Sequence, residues 1–274
     1  MNLPEKDILF RIGRRVAEKM FHRISPKFIR LNRTLELHNC RFSKPNVIVI
    51  GAAGGIGPLY YPWVMRNSIV AAGFEPEKKA FERLTQRNKK ITWYPYALGD
   101  KNINSIFYLT KNLRCSSCLE PNMDLLSEYP VGKWFSIQST QKIKLRRFDT
   151  LYESGKIFFP PDFLHFDVQG FEYQVLEGFG RYLDATRCVE IETQLKPIYK
   201  RQRLFFELKE YLEQRGFYLR AIEPQGYFEG EILELNAFFV KKNENLDDRG
   251  RSLVNLWETI CMLGQRPVVP TQLE

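Results

Sequence analysis

The chain has 274 residues, 44% of them hydrophobic and 27% charged, which excludes intrinsic disorder and suits one α/β domain with additions. No apolar run reaches the ~20 residues that a membrane span needs, and five cysteines with no apolar signal core predict a reducing, cytoplasmic location. The net charge of +9 lies mostly in residues 1–45, with eleven Lys or Arg against four Asp or Glu, so the rest lacks the basic stripe of a nucleic-acid-binding domain.

Residues 1–45 form a basic N-terminal arm, in which 8–24 are predicted to be an amphipathic helix. Apolar residues recur at helical spacing from Leu9 to Ile24, and arginines and lysines occupy the other side. Packing of this helix on its own domain, with a solvated basic face, is the favoured interpretation. Peripheral contact with an anionic inner-membrane surface and a homo-oligomer contact stay open as alternatives.

From residue 46 the pattern alternates between strand and helix. Residues 46–50 and 69–74 are predicted strands, with a short helix between them near Pro62. Pro76 is well placed at the start of the next helix, and 91–97 is the third predicted strand.

The alternation continues in the second half of the chain. We predict strands at 163–168, 187–193, 217–223 and 234–241, and helices at 171–180 and 202–215. Strands that alternate with helices imply a parallel sheet covered on both faces, and the last two strands are close enough for a closing antiparallel hairpin. The predicted fold class is therefore α/β.

Two segments fall outside this alternation. The interval 100–145 holds turn residues and little periodicity, which is typical of a functional insert or lid within the main domain, 46–242. The tail, 243–274, contains one further predicted helix around 253–263.

A glycine-rich turn follows the first strand in the segment VIVIGAAGGIG at 47–57. Its glycines let a ligand approach the backbone closely, because no side chain stands in the way. Glu75 lies roughly 20 residues beyond the first glycine, a spacing at which a carboxylate can bind a ribose diol. The pattern predicts binding of an adenosine-containing molecule, either a dinucleotide or S-adenosylmethionine.

The segment HFDVQGFE at 165–172 places Asp167 at the end of the fourth predicted strand. Asp167 can contact the reactive end of the cofactor, orient a substrate hydroxyl or help to bind a metal. His165 shares its strand face and is more typical of a hydrogen-bonded core residue, while Glu172 fits either a functional role or stabilisation of the helix start. Three histidines in the whole chain argue against a histidine-rich metal site.

Further candidate groups are carboxylates and cysteines. Glu190 and Glu192 share one face at the end of the fifth predicted strand, where paired carboxylates serve as a base or metal ligand, or form a plain solvated strand end. Cys115 and Cys118 have no second cysteine pair nearby, which favours structural or incidental cysteines over a redox or zinc site.

Several of these motifs occur in the order found in a known enzyme family. The matching segments are GAAGG at 51–55, GFEP at 73–76, ALGD at 97–100, SSCLEP at 116–121, FDVQGFEYQVLEG at 166–178 and VEIET at 189–193. On these residues the chain resembles the FkbM family of S-adenosylmethionine-dependent methyltransferases over roughly residues 46–242.

The resemblance implies a Rossmann-like, seven-stranded methyltransferase sheet, mostly parallel with an antiparallel C-terminal hairpin strand. It also implies O-methylation of a hydroxyl of a sugar, surface glycan or secondary metabolite, with Asp167, Glu192 and His165 as candidate bases in that order. Some relatives use a divalent metal for this step, which stays open here. The residues assigned to cofactor binding are Gly51, Ala52, Ala53, Gly54, Gly55, Glu75, Pro76, Leu98, Gly99, Asp167, Val168, Gln169 and Glu172.

The chain also departs from the family pattern. The family has an acid two residues before the first loop glycine, where this chain has Val49, and an Asn-like position where it has Ala53. These differences motivate a second interpretation, a non-catalytic accessory module of glycan assembly that keeps the fold. A third is an NAD(P)-dependent oxidoreductase, which the glycine turn and Glu75 permit, although no hydride-transfer motif stands out.

Overall fold

A computed structural model describes residues 41–228, 230–261 and 263 of the chain. The strands of this part are β1 (Asn46–Ile50), β2 (Val70–Phe74), β3 (Thr92–Tyr94), β4 (Ala97–Leu98), β5 (Ile103–Thr110), β6 (Ile137–Arg146), β7 (Phe163–Phe166), β8 (Cys188–Gln194), β9 (Phe217–Phe228) and β10 (Glu231–Lys241). The α-helices are α1 (Gly57–Met65), α2 (Lys78–Arg87), α3 (Met123–Leu126), α4 (Phe148–Glu153), α5 (Glu172–Phe179), α6 (Arg181–Ala185), α7 (Phe205–Gln214) and α8 (Asp248–Ile260). The helix predicted at 8–24 lies outside the described residues.

Seven of these strands form one sheet in the order β3-β2-β1-β7-β8-β10-β9. The first five strands in this order pair in parallel, and β10 runs antiparallel to both of its neighbours. The predicted fold class is therefore confirmed: a mostly parallel α/β sheet with an antiparallel strand from the closing hairpin. The strand order reverses between β1 and β7, and at such a switch point open α/β sheets bind their ligands.

The central strands form because their residues are apolar on both faces. β1 reads NVIVI and is buried over its last four residues, and β7 and β8 are also mostly buried. Such runs are typical of parallel strands covered by helices on both sides. One core includes α5 and α7, and the other, on the opposite face, includes α1 and α8. The expected cover of both sheet faces is thus present.

Local signals set several helix ends. The Glu77 side chain accepts hydrogen bonds from the backbone N–H groups of Lys79 and Ala80, which caps α2 just after Pro76. α7 ends before Gly216, whose φ of 78° is a left-handed conformation that glycine adopts without strain. The tail helix α8 begins at Asp248, five residues before the start predicted for it.

The third predicted strand, 91–97, is not continuous. Pro95 separates β3, in the large sheet, from β4, which belongs to a second, three-stranded sheet in the order β4-β6-β5. Proline has no backbone N–H to give to a strand ladder, so the chain leaves the large sheet there. The alternation of apolar residues across 91–97 gave no sign of this break.

The interval 100–145, predicted to have little periodicity, contains the long antiparallel pair of β5 and β6. β5 is partly exposed and has no regular alternation of apolar and polar residues, whereas the end of β6 does alternate in KIKLR at 142–146, a local signal that the prediction missed. Between them the chain meets the segment that follows β8, where an isolated bridge joins Pro121 to Tyr199. The role of a lid stays a prediction. Within the described residues no helix combines the length and apolarity needed to cross a bilayer.

Asp162 ties α8 to the start of the sheet. Its carboxylate accepts two hydrogen bonds from the Arg249 guanidinium, at 2.7 and 2.9 Å, and one from the backbone N–H of Asn46 at 2.9 Å. Asp162 is buried and Arg249 is half-buried. If the ion pair is broken, water can only partly replace the missing partner of the side chain that remains.

We expect Asp162→Ala to lower the free energy of unfolding by about 3 kcal/mol, because a partly buried guanidinium is left without its acceptor. Asp248→Ala is the matched control, since its ion pair with Arg251 is largely exposed and should matter far less. Urea unfolding of the two variants measures this. Equal losses would show that the Asp162 contact does not hold α8.

Candidate active site

The glycine turn after β1 is shaped by contact with the β7 end. A Cβ atom on Gly51 would lie 1.7 Å from the carbonyl oxygen of Asp167, and its φ is 79°. The N–H groups of Gly51 and Ala52 both donate to the carbonyl of Phe74, at the end of β2. Gly51 therefore lets the ends of three neighbouring strands meet, and only glycine fits this position.

The later glycines of the turn have a different setting. A Cβ atom on Gly54, Gly55 or Gly57 would meet no atom within 4 Å. Ala53 beside them is exposed, and Ile56 precedes α1 without any side-chain cap. This half of the turn leaves room above the backbone and leaves the first N–H groups of α1 to water or a ligand.

Glu75 closes the same edge from the end of β2. Its side chain is buried, and one carboxyl oxygen accepts a hydrogen bond of 2.7 Å from the backbone N–H of Glu77. Burial raises the pKa of Glu75 to about 7. A carboxylate held this way keeps its second oxygen for a ligand, as a ribose diol would require.

The turn at Leu98 and Gly99 is packed more tightly than a ligand loop. A Cβ atom on Gly99 would lie 2.8 Å from the side chains of both Leu145 and Phe171, and a Cβ on Gly178 would lie 2.1 Å from the Gly99 carbonyl. Packing between α5 and the small sheet is enough to require glycine at both positions. The assignment of Leu98 and Gly99 to the cofactor stays a prediction.

The turn after β7 adopts an unusual backbone. Gln169 and Gly170 both have positive φ, 56° and 91°. Glu172 turns back and accepts a hydrogen bond from the Gly170 N–H at 3.1 Å, and burial raises the pKa of its carboxyl to about 8. These contacts fit the stabilising role of Glu172 at the start of α5. Val168 is half-buried between these groups and the glycine turn.

Asp167 and Glu192 meet at the sheet edge through one amide group. The Nε2 atom of Gln169 donates to Asp167 Oδ1 and to Glu192 Oε1, at 2.8 Å each. Burial, together with the charges of Asp167 and Glu234, raises the pKa of Glu192 to about 9. Burial also raises the pKa of Asp167, but Gln169, His165 and Arg114 oppose that shift. The two carboxyls therefore differ in their surroundings: His165 and Arg114 favour the charged form of Asp167, whereas neighbouring carboxyls disfavour a charge on Glu192.

His165, the third candidate base, lies deeper in the same sheet face. Its Nδ1 atom is 3.1 Å from Glu190 Oε2, and burial opposes the rise in pKa that this carboxylate causes. Glu190 Oε2 also accepts from Tyr60 on α1, whose hydroxyl in turn accepts from Trp257 on α8 at 2.9 Å. Glu190 is thus a structural partner of buried groups, and does not join Glu192 as a pair at the mouth.

Several residues of this edge were not predicted. Tyr199 donates to Gln169 Oε1, Ser117 donates to the Gln169 carbonyl, and Glu234 on β10 adds to the charge around Glu192. The matching segment SSCLEP contained Ser117, which was a signal, but Tyr199 and Glu234 carried none.

Burial raises the pKa of Cys115 and Cys118 to about 12, so neither is a reactive thiolate. Within the described part of the chain, no cluster of three His, Cys, Asp or Glu side chains suits a metal ion.

Comparison with known proteins gives one family. A family model described as the methyltransferase FkbM domain matches residues 59–219, more than half of the chain. No curated protein matches significantly.

Solved structures resemble the chain only distantly. They include a TehB-like SAM-dependent methyltransferase from Corynebacterium glutamicum, at 12% identity and a TM-score of 0.36, covering 82% of this chain and 100% of that one. The 1,6-didemethyltoxoflavin-N1-methyltransferase of Burkholderia thailandensis is 11% identical with a TM-score of 0.37, and the match covers 89% of this chain and 92% of that one. Human methyltransferase-like protein 13 is 13% identical with a TM-score of 0.34, and the match covers 92% of this chain and 95% of that one. Likenesses this distant carry no argument about activity.

The two halves of the glycine turn should respond differently to an added methyl group. Gly51→Ala is expected to lower the free energy of unfolding by about 3 kcal/mol or more, because the methyl meets a carbonyl and the backbone is left-handed. Gly54→Ala should stay within about 0.5 kcal/mol of the parent, since its methyl meets open space. Chemical unfolding of both variants tests this, and a destabilised Gly54→Ala would mean that the open half is also packed.

Proposed function

The chain belongs to the FkbM methyltransferase family and uses S-adenosylmethionine, and we propose that it methylates a hydroxyl group of a sugar, surface glycan or secondary metabolite. The observation that carries this proposal is the pair of Asp167 and Glu192, held at the sheet edge beside the glycine turn. A carboxylate at this place supplies a base and a hydrogen-bond acceptor for a hydroxyl. Family membership also favours S-adenosylmethionine over a nicotinamide cofactor.

Each side of the edge has a part in binding the cofactor. The open half of the glycine turn would lie against it, and Glu75 would accept hydrogen bonds from its ribose hydroxyls. S-adenosylmethionine brings a sulfonium methyl group that is already a good electrophile. The protein therefore has to align the acceptor oxygen and remove its proton, and alignment supplies most of the rate.

Asp167 is the base that the electrostatics support best. Nearby His165 and Arg114 favour its charged form, whereas the carboxyls around Glu192 disfavour a charge there and help to raise its pKa to about 9. Neutral Glu192 can then hydrogen-bond a second acceptor hydroxyl or orient the first. His165 is less suited, since its Nδ1 faces Glu190 in the buried network.

The negative charge of this sheet edge limits which class of acceptor can bind there. The charge of Asp167 raises the pKa of both Glu192 and Glu234, and that of Glu234 raises the pKa of Glu192, so further negative charge there is unfavourable. A phosphorylated acceptor would add to this repulsion, whereas hydroxyl groups satisfy carboxylates by donating hydrogen bonds. A neutral, hydroxyl-rich acceptor fits best.

The proposal is tested with S-adenosylmethionine labelled in its methyl group and a panel of neutral sugars, glycans and hydroxylated metabolites. Each is offered beside a phosphorylated or amine analogue. The proposal expects label in methyl ethers of neutral acceptors. Label found only on nitrogen or carbon would contradict it.

Glu75 predicts a pH-dependent affinity for the cofactor. The ionised carboxyl is the stronger acceptor for a ribose diol, and the pKa of Glu75 in the empty protein is about 7. We expect the affinity for S-adenosylhomocysteine to rise about tenfold from pH 6 to pH 8, as the carboxyl ionises. Calorimetry across this range measures it. Glu75→Gln should bind more weakly and lose the rise, and an unchanged pH profile in that variant would exclude Glu75 as its source.

The split roles of the carboxyl pair predict unequal kinetic losses. Asp167→Asn should reduce kcat by about 10²–10⁴-fold, because the base is lost. Glu192→Gln should reduce it by less than about tenfold, since an amide keeps the shape and donor of a protonated acid. Steady-state rates on a responsive acceptor from the panel check this. A larger loss in Glu192→Gln would reverse the assignment.

A further inference from the structure

Gln169 occupies a backbone position that its residue type disfavours. Its φ of 56° lies in the left-handed region, where glycine and asparagine are common and longer side chains are rare. The next residue, Gly170, also has a positive φ, so two consecutive residues of this turn are left-handed and the first of them is not a glycine. A long polar side chain at such a place points to a role for the side chain itself.

The Gln169 side chain uses each kind of hydrogen-bonding atom that it has. Nε2 donates both protons, one to Asp167 and one to Glu192, and Oε1 accepts from the Tyr199 hydroxyl at 2.9 Å. The contacts with the carboxyls favour this orientation of the amide, because the opposite one would set Oε1 against two carboxyl oxygens.

The same residue is also held through its backbone. Ser117 donates from Oγ to the Gln169 carbonyl at 2.7 Å, and the Tyr199 hydroxyl also lies 2.9 Å from the Cys115 carbonyl, so its one proton is shared between that oxygen and Gln169 Oε1. Ser117 and Cys115 belong to the segment between β5 and β6. The insert is therefore connected to the carboxyl pair through one side chain.

We propose that Gln169 is a positioning residue, whose amide holds the carboxyl groups of Asp167 and Glu192 apart and in fixed orientation for the acceptor hydroxyl. This inference rests on the proposed function. Without the amide, two buried carboxyls on adjacent strand ends would share one proton in a direct hydrogen bond and turn away from the acceptor. With it, each carboxyl accepts a hydrogen bond from a neutral donor and the two keep separate roles. The sequence resemblance had assigned Gln169 to the cofactor.

The proposal predicts a pH-dependent effect on stability that simple loss of packing would not give. Gln169→Met keeps the length of the side chain and removes both donors, so the two carboxyls share a proton that leaves at a higher pH, and the pKa of Glu192 in the folded protein rises above about 9. Carboxyls whose folded pKa exceeds the unfolded value destabilise the fold as pH rises, until the folded pKa is passed. The variant should therefore lose stability relative to the parent as the pH rises through about 9, the pKa of Glu192 in the parent, by about tenfold in the folding constant for each added pKa unit.

Gln202→Met is the matched control. Gln202 is also a buried amide of this region, but it bonds the Tyr199 backbone and the Gln194 amide and no carboxyl. Its deficit, measured by urea unfolding, should be the same at each pH. Gln169→Asn supplies a second variant that suits the left-handed backbone and is one methylene shorter, so it should show a smaller deficit of the same sign.

A deficit of Gln169→Met that is constant with pH, as in Gln202→Met, would overturn the proposal. If Gln169→Met does not fold, a pH-independent deficit of Gln169→Asn overturns it equally. The readout needs neither cofactor nor acceptor. It can therefore fail while methyl transfer to a hydroxyl stands, and it can succeed if the acceptor proves to be of another class.

Discussion

The candidate site depends on the close approach of the Gly51 backbone to the carbonyl of Asp167. That contact brings the turn after β1 against the end of β7, at the point where the strand order reverses. This approach brings the groups of the candidate site together at one sheet edge. The open glycines come from the turn after β1, Glu75 from the end of β2, and the carboxyl pair from the ends of β7 and β8. A side chain at residue 51 would separate strand ends that must act on one ligand.

Burial gives the carboxyls of this edge their chemistry. Taken out of water, Asp167, Glu192 and Glu234 cannot all be charged, so their pKa values rise. His165 and Arg114 favour a charge on Asp167, whereas neighbouring carboxyls disfavour one on Glu192. Under the proposed function, the first carboxyl is the base and the second orients the acceptor.

Much of this could be predicted from the sequence, because the signals were local. The apolar runs of β1, β7 and β8, the glycine turn and the spacing to Glu75 predicted the sheet and its edge. What was missed has two causes. Pro95 within the third predicted strand and the alternation at the end of β6 were local signals that the prediction did not use, while β5 shows no regular alternation. The contact of Tyr199 with Gln169 joins residues thirty positions apart, which no local pattern indicates. Glu190 and Glu192 share a strand face, but only the structure shows that Glu190 is already bound by Tyr60 and His165.

The central claim is that this sheet edge binds S-adenosylmethionine, with Glu75 on the ribose. Calorimetric titration of the folded protein with S-adenosylhomocysteine tests it most directly, with Glu75→Ala as the paired variant. The account predicts saturable binding to one site per chain, clearly weakened in Glu75→Ala. No heat of binding at millimolar ligand, with the fold intact by circular dichroism, would contradict it.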